Sequence, residues 1–215
     1  MNRPWATDAT AFLGRLVRLD PVAPCRLVAT GDGTALWAPL PWDVLVTRQV
    51  AAALPEGVRP AADLLAALEA GKAAPPAGDA GAWRWGLPAA GGEEIERVPA
   101  PEVARLGEAA EQTLRTVAGG GLSGRAVGQR AVRDALLDHV PLTVETRGRT
   151  VGVPQRLVQA VVRMGFLGSS PSVDSTVAVR VLPGWVGLAA SYGTGWWHRV
   201  SRLPVRPVGQ APHRH

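Results

Sequence analysis

Apolar residues recur along this chain with two periods, and the switches between them mark the elements. Between Thr10 and Leu19, Phe12, Leu13, Leu16 and Val17 fall on one face, which predicts a helix capped by Asp8 or Thr10 and ended by Asp20 and Pro21. CRLVAT and TALWA flank Gly31, Asp32 and Gly33, whose backbone freedom predicts a hairpin. In WDVLVTRQV, Val44, Val46 and Val50 alternate with Asp43, Thr47 and Gln49, a second strand pattern. PAADLLAALEAG predicts a short helix, with Pro60 near its first position and Gly71 just past its end.

Lys72 to Gly92 has linker composition, but Trp83 and Trp85 within it are costly to leave in water and are expected to dock on a domain. A helix over Pro101 to Ala118 would bury Val103, Leu106, Ala110, Leu114 and Val117, with Glu102 at its N-terminal dipole. A further helix runs from Gly124 to His139, capped by Ser123. PLTVETRGRTVGVPQRLVQAVVRMGFLG predicts a hairpin turning at Arg147, Gly148 and Arg149, then a helix with Pro154 at its start and Leu157, Val158, Val161 and Val162 inward. STVAVRVLPGWVGLAA gives the clearest strand pair, joined by a type II turn at Pro183 and Gly184, and the proline-rich segment from Leu203 to His215 is expected to be extended.

These elements predict an α+β fold with two small antiparallel sheets and packed helices: an N-terminal lobe over 1–71, a Pro/Gly-rich connection over 72–98, and 99–215 as a helical segment plus a basic lobe with an extended tail. A helix-plus-meander unit occurs twice. Superposing Thr34 on Trp185 matches Ala38 with Ala189 and Arg48 with Arg199, so an internal repeat is a further expectation.

Charge changes the picture. Residues 146–215 carry nine arginines against the single acid Asp174, whereas residues 1–145 carry more acids than bases. Such asymmetry points to a polyanion or an acidic protein as partner of the C-terminal lobe. Cys25 is the sole cysteine, which excludes an intrachain disulfide and a thiolate metal cluster. The N-terminal segment lacks a signal-peptide core, and no apolar run approaches the roughly 20 residues of a bilayer span, so a cytoplasmic location is expected.

Candidate chemistry is sparse. The histidines at 139, 198, 213 and 215 have no ligand spacing, and no G-x-S-x-G elbow accompanies them. GDGTAL and GGGLSGRAVGQ, the latter with Arg125 and Arg130 nearby, lack the lysine of a phosphate loop and read as a turn and a helix cap. No catalytic residue, metal or cofactor is therefore assigned.

The segment SYGTGWWHR stands apart. Strand alternation sends Trp196 and His198 to one face and Trp197 and Arg199 to the other. Aromatics interleaved with arginine suit base stacking and phosphate neutralisation, so nucleic-acid or partner binding is expected from Arg147, Arg149, Arg156, Arg163, Trp196, Trp197, Arg199 and Arg202. The same residues also suit a homo-oligomeric interface, a non-enzymatic scaffold with tryptophan anchors; an enzyme of another type would have to use His139 or His198. The run TVETRGRTVGVPQRLVQAVVRMGFL resembles the hairpin of AbrB-type DNA-binding proteins, in which strand residues before a V-x-V-P-like step face DNA. It covers residues 143–167 alone, and no site residue is carried over on it.

Overall fold

A computed structural model describes residues 4–89, 91–119 and 126–199. Its helices are α1 (Pro4–Leu19), α2 (Ala61–Glu69), α3 (Ala100–Gly119), α4 (Ala126–Asp138) and α5 (Gln155–Arg163). Its strands are β1 (Pro24–Thr30), β2 (Gly33–Leu40), β3 (Val44–Val50), β4 (Gly57–Pro60), β5 (Glu93–Pro99), β6 (Leu142–Thr146), β7 (Arg149–Val153), β8 (Thr176–Leu182), β9 (Trp185–Ala190) and β10 (Gly193–His198).

The periodic segments form where the pattern places them, with informative exceptions. Helix α1 begins at Pro4, so Asp8 and Thr10 lie inside it instead of capping it, and Trp5 adds to the buried side. Strands β4 and β5 were not expected. Each is an end strand, and β5 occupies part of the Pro/Gly-rich connection, where its mostly exposed side chains give no alternation to read.

The fold is α+β, but the two small sheets are one. Strand order is β4-β1-β2-β3-β10-β9-β8-β5, all antiparallel, with β6 and β7 forming a separate hairpin. The two meanders meet at β3 and β10 through Val44↔Trp197, Leu45↔Trp196, Val46↔Gly195 and Thr47↔Thr194. The order is palindromic about that junction, with α1 preceding one meander and α5 the other. The end strands break the correspondence, because β4 follows its meander in sequence and β5 precedes its own.

The core lies between the helices and one face of the sheet. Leu36, Ala38, Val44, Val46, Val186 and Leu188 face Leu13, Leu16, Leu157 and Val161, all essentially buried. Phe12 of α1 stacks parallel on Phe166 at 6.3 Å, closing the gap between the halves. Gly195 allows α5 to sit on the junction itself, since a Cβ there would lie 3.0 Å from Leu157 Cδ1 and 3.3 Å from Val161 Cγ2.

The opposite face is crossed by residues 83–89 and 91–92. The Arg26 guanidinium lies 5.8 Å from the Trp83 ring, Pro88 is buried, and Arg180 Nη1 donates to the Gly91 carbonyl at 3.1 Å. Trp83 thus docks back on the sheet, while Trp85 stays 37% exposed. Under this strap Trp196 covers Gly187, where a Cβ would stand 2.6 Å from the indole ring. Gly187→Val is therefore expected to destabilise the fold by about 1–3 kcal/mol through overpacking, seen as a lower urea midpoint at unchanged m-value. Gly86→Ala, which adds a methyl to open space, is expected to stay within about 0.5 kcal/mol of the parent.

Candidate interaction surfaces

Four arginines of the basic C-terminal third reach acids supplied by the rest of the chain. Arg147 lies 3.4 Å from Glu93, Arg163 3.7 Å from Glu111, and Arg180 3.4 Å from Glu94. Arg156 pairs with Asp43 at 3.4 Å and with Asp138. Arg149 and Arg199 have no carboxylate within 4 Å among the described residues, and Arg202 lies outside them.

Arg156 is the hub of the cleft between α3, α4, α5 and the β2–β3 turn. Its Nη1 donates to the Trp42 carbonyl at 3.0 Å, while Trp42 Nε1 donates to the Arg156 carbonyl at 3.0 Å. Its side chain is 14% exposed. Arg163 lies 5.8 Å from the Trp42 ring and donates from Nε to Gln159 Oε1 at 3.3 Å. The cleft encloses about 450 Å³, and its three arginines, Arg133, Arg156 and Arg163, face Asp43, Asp134 and Asp138. With equal numbers of each charge, the cleft has no net attraction for a polyanion.

The remaining sequence candidates separate in space. Arg147 and Arg149 sit at the β6–β7 turn, where Arg147 takes φ 46° and its side chain is 84% exposed. Trp197 points to the helix side and packs against the core. Trp196 points to the strap side and is 6% exposed, so its ring presents no free face. Arg199 donates its backbone N–H to the Gly184 carbonyl at 2.7 Å, and the His198 ring meets Trp185 edge-on at 4.8 Å.

His139 is exposed, and among the described residues no three His, Cys, Asp or Glu side chains converge as a metal site would require. The glycine-rich segment 120–125, with Arg125, lies outside the described residues. Sequence reading passed over Trp42, Arg48 and Tyr192. Arg48 pairs with Asp8 of α1 at 2.8 Å, donates from Nη1 to the Tyr192 carbonyl, and holds its guanidinium 5.2 Å from the Tyr192 ring. The available signal was an aromatic in the β2–β3 turn, Trp42, and another in the β9–β10 turn, Tyr192.

A family model described as Domain of unknown function (DUF8185) matches residues 87–202, more than half of the chain. The chain belongs to the DUF8185 family. A second model, Domain of unknown function (DUF8010), matches residues 2–85, so the boundary between the two falls within the strap. No curated protein matches this DUF8185 chain.

Among solved structures it is similar to the DNA polymerase III subunit beta from Pseudomonas aeruginosa, with TM-score 0.53 and 13% identity over 96% of this chain and 64% of that one. It is also similar to the DNA polymerase sliding clamp from Caulobacter crescentus, with TM-score 0.53 and 16% identity over 93% of this chain and 65% of that one. The DUF8185 chain thus has a sliding-clamp-like fold and spans less than two thirds of the length of these structures.

Two measurements test the local chemistry. Arg156→Ala is expected to cost about 1–3 kcal/mol in urea unfolding, since it strips the Trp42 carbonyl and Asp138 of a donor. Asp43→Asn, at a carboxylate 87% exposed, is expected to cost about 0–1 kcal/mol.

Burial pushes the Cys25 thiol from 9.0 to about 12, partly offset by Arg59. A folded value above the unfolded one means that ionisation favours the unfolded chain. Stability is then expected to hold below pH 9 and to fall between about 9 and 12. At pH 8 a thiol reagent should modify Cys25 only once denaturant unfolds the protein.

Proposed function

We propose that this protein is a non-enzymatic nucleic-acid-binding protein built on a clamp-like fold. The observation that carries this reading is the likeness, across nearly the whole chain, to proteins named as DNA polymerase III beta subunits and sliding clamps. Arg147 and Arg149 at the β6–β7 turn, Arg199 after β10, and Arg202 supply the phosphate contacts. Arg147 is 84% exposed and meets Glu93 only across the open surface, at 3.4 Å, and no carboxylate lies within 4 Å of Arg149 or Arg199 among the described residues; these observations support their roles. Arg156 and Arg163 contribute through the turn and helix they hold in place, because their charges are already paired.

Phosphate neutralisation releases counterions, so binding weakens as salt rises, with a slope set by the number of phosphates neutralised. Anisotropy of labelled single-stranded and duplex oligonucleotides at two salt concentrations is expected to give salt-dependent binding. Replacing Arg147 and Arg149 together by alanine should weaken it and reduce the slope by about one for each phosphate left without its arginine. Absence of binding at low salt would overturn the proposal.

A second reading is a homo-oligomer, and one observation favours it. The outer edge of β5 pairs with no strand among the described residues, leaving a seven-residue strand with unpaired backbone groups. A mass above the monomer that persists at high salt in sedimentation would support it.

A further inference from the structure

The eight-stranded sheet has one closed end and one open end. Residues 75–78 cover β4: the Gly78 N–H donates to the Val58 carbonyl at 2.8 Å, Arg59 Nε donates to the Pro75 carbonyl at 2.6 Å, and a Cβ on Gly57 would stand 2.7 Å from Ala77 Cβ. At the other end no strand pairs with the outer edge of β5 among the described residues. Its charges are ordered, with Glu93, Glu94 and Glu96 ahead of Arg97. The bulge between Glu94 and Glu96 puts Glu94 and Arg97 on one side of the sheet, opposite Arg180 and Ala178 of β8. That side is the strap's, because Arg180 reaches the Gly91 carbonyl. Arg97 Nε meets Glu94 Oε1 at 2.7 Å, and the Arg97 side chain is still 60% exposed.

We propose that β5 pairs antiparallel with β5 of a second copy of this chain, about a two-fold axis between Ile95 and Glu96. The inference rests on the homo-oligomer reading above and names its partner strand, register and symmetry. Charge selects the partner. In this register Glu94 of each copy stands opposite Arg97 of the other, so two acids and two bases form one cluster on the strap side. Registers centred on Glu96 or on Arg97 would oppose two acids or two arginines. A charged, bulged edge repels strands that lack matching charges, and a second β5 supplies the match. In the single copy Glu96 Oε1 accepts from the Arg97 N–H at 2.8 Å, a bond that pairing exchanges for a main-chain one. The closed β4 end denies a head-to-tail contact between β5 and β4, so growth stops at two copies. Because Arg147 lies beside Glu93, the second copy also adds its own arginine turn. At about 3.3 Å per residue the two Glu93 positions are roughly 17 Å apart.

The test is sedimentation equilibrium of the full chain and of two charge-reversed variants, with circular dichroism to show that each is folded. The parent is expected to form a dimer and nothing larger. Arg97→Glu sets acid against acid across the axis and Glu94→Arg sets base against base, each twice by symmetry, so each is expected to weaken the dimer by about tenfold or more. Mixed in equal amounts, the two variants are expected to pair with each other, because the acids of one then face the bases of the other. A dimer unchanged in both variants, or folded variants that stay apart when mixed, would overturn the β5 pairing and leave the homo-oligomer reading standing. Species larger than the dimer would overturn the closed two-fold. A parent that stays monomeric at its highest soluble concentration would overturn this inference and the homo-oligomer reading together.

Discussion

The structure depends on the short β3–β10 junction. Before that pairing each meander has an open edge, and an open edge of Val44 to Val50 or of Gly193 to His198 exposes backbone donors and acceptors that must find partners. The junction satisfies both edges with four residue pairs, and its inner face is where α5 lands on Gly195. Its outer face is where Trp196 lies over Gly187. Two glycines on adjacent strands therefore let a helix and an indole approach the same small region of sheet from opposite sides, and packing there tolerates little added volume.

Electrostatics follow from the same joining of halves. A linear count places an excess of positive charge after residue 145, but folding brings Glu93, Glu94, Glu111, Asp43 and Asp138 against those arginines. Charge asymmetry along a chain predicts a charged surface only when the two segments stay apart. Here they share a sheet, and Arg147, Arg156, Arg163 and Arg180 tie its later segments to acids from earlier in the chain. Among the described residues, Arg149 and Arg199 have no carboxylate within 4 Å.

Much of the local structure was legible because it rests on short-range rules. The hairpins at Gly31–Gly33, Gly148 and Gly184 and all five helices follow from periodicity and turn residues. The union of the sheets was not, since pairing of residues about 150 apart leaves no periodic trace. The proposed superposition of Arg48 on Arg199 carries Leu45 onto Trp196, its own partner, and carries the pair Val44↔Trp197 onto Gly195↔Val46. That is the register a local two-fold axis requires. Extended one strand back, the same superposition puts buried, helix-facing Leu36 on Gly187, which faces the strap, because the β2–β3 connection Pro41–Asp43 is one residue longer than Ser191–Tyr192. Alternation likewise separated Trp196 from Trp197, but which face is covered depends on the strap, and its composition reads as linker.

The two halves are further bound by a reciprocal exchange of arginines. The turn between β2 and β3 presents Trp42, covered by Arg163 of the other half, and the turn between β9 and β10 presents Tyr192, covered by Arg48. Each arginine is also paired with an acid, Glu111 for Arg163 and Asp8 for Arg48, so each turn is tied to a helix through one side chain. Separating the halves would uncover two strand edges, the Phe12–Phe166 stack and both aromatic turns together. The boundary between the two family models near residue 86 is therefore a boundary in sequence that the packing does not respect. Cooperative unfolding of both halves follows from that packing, because neither can keep its core while its partner leaves.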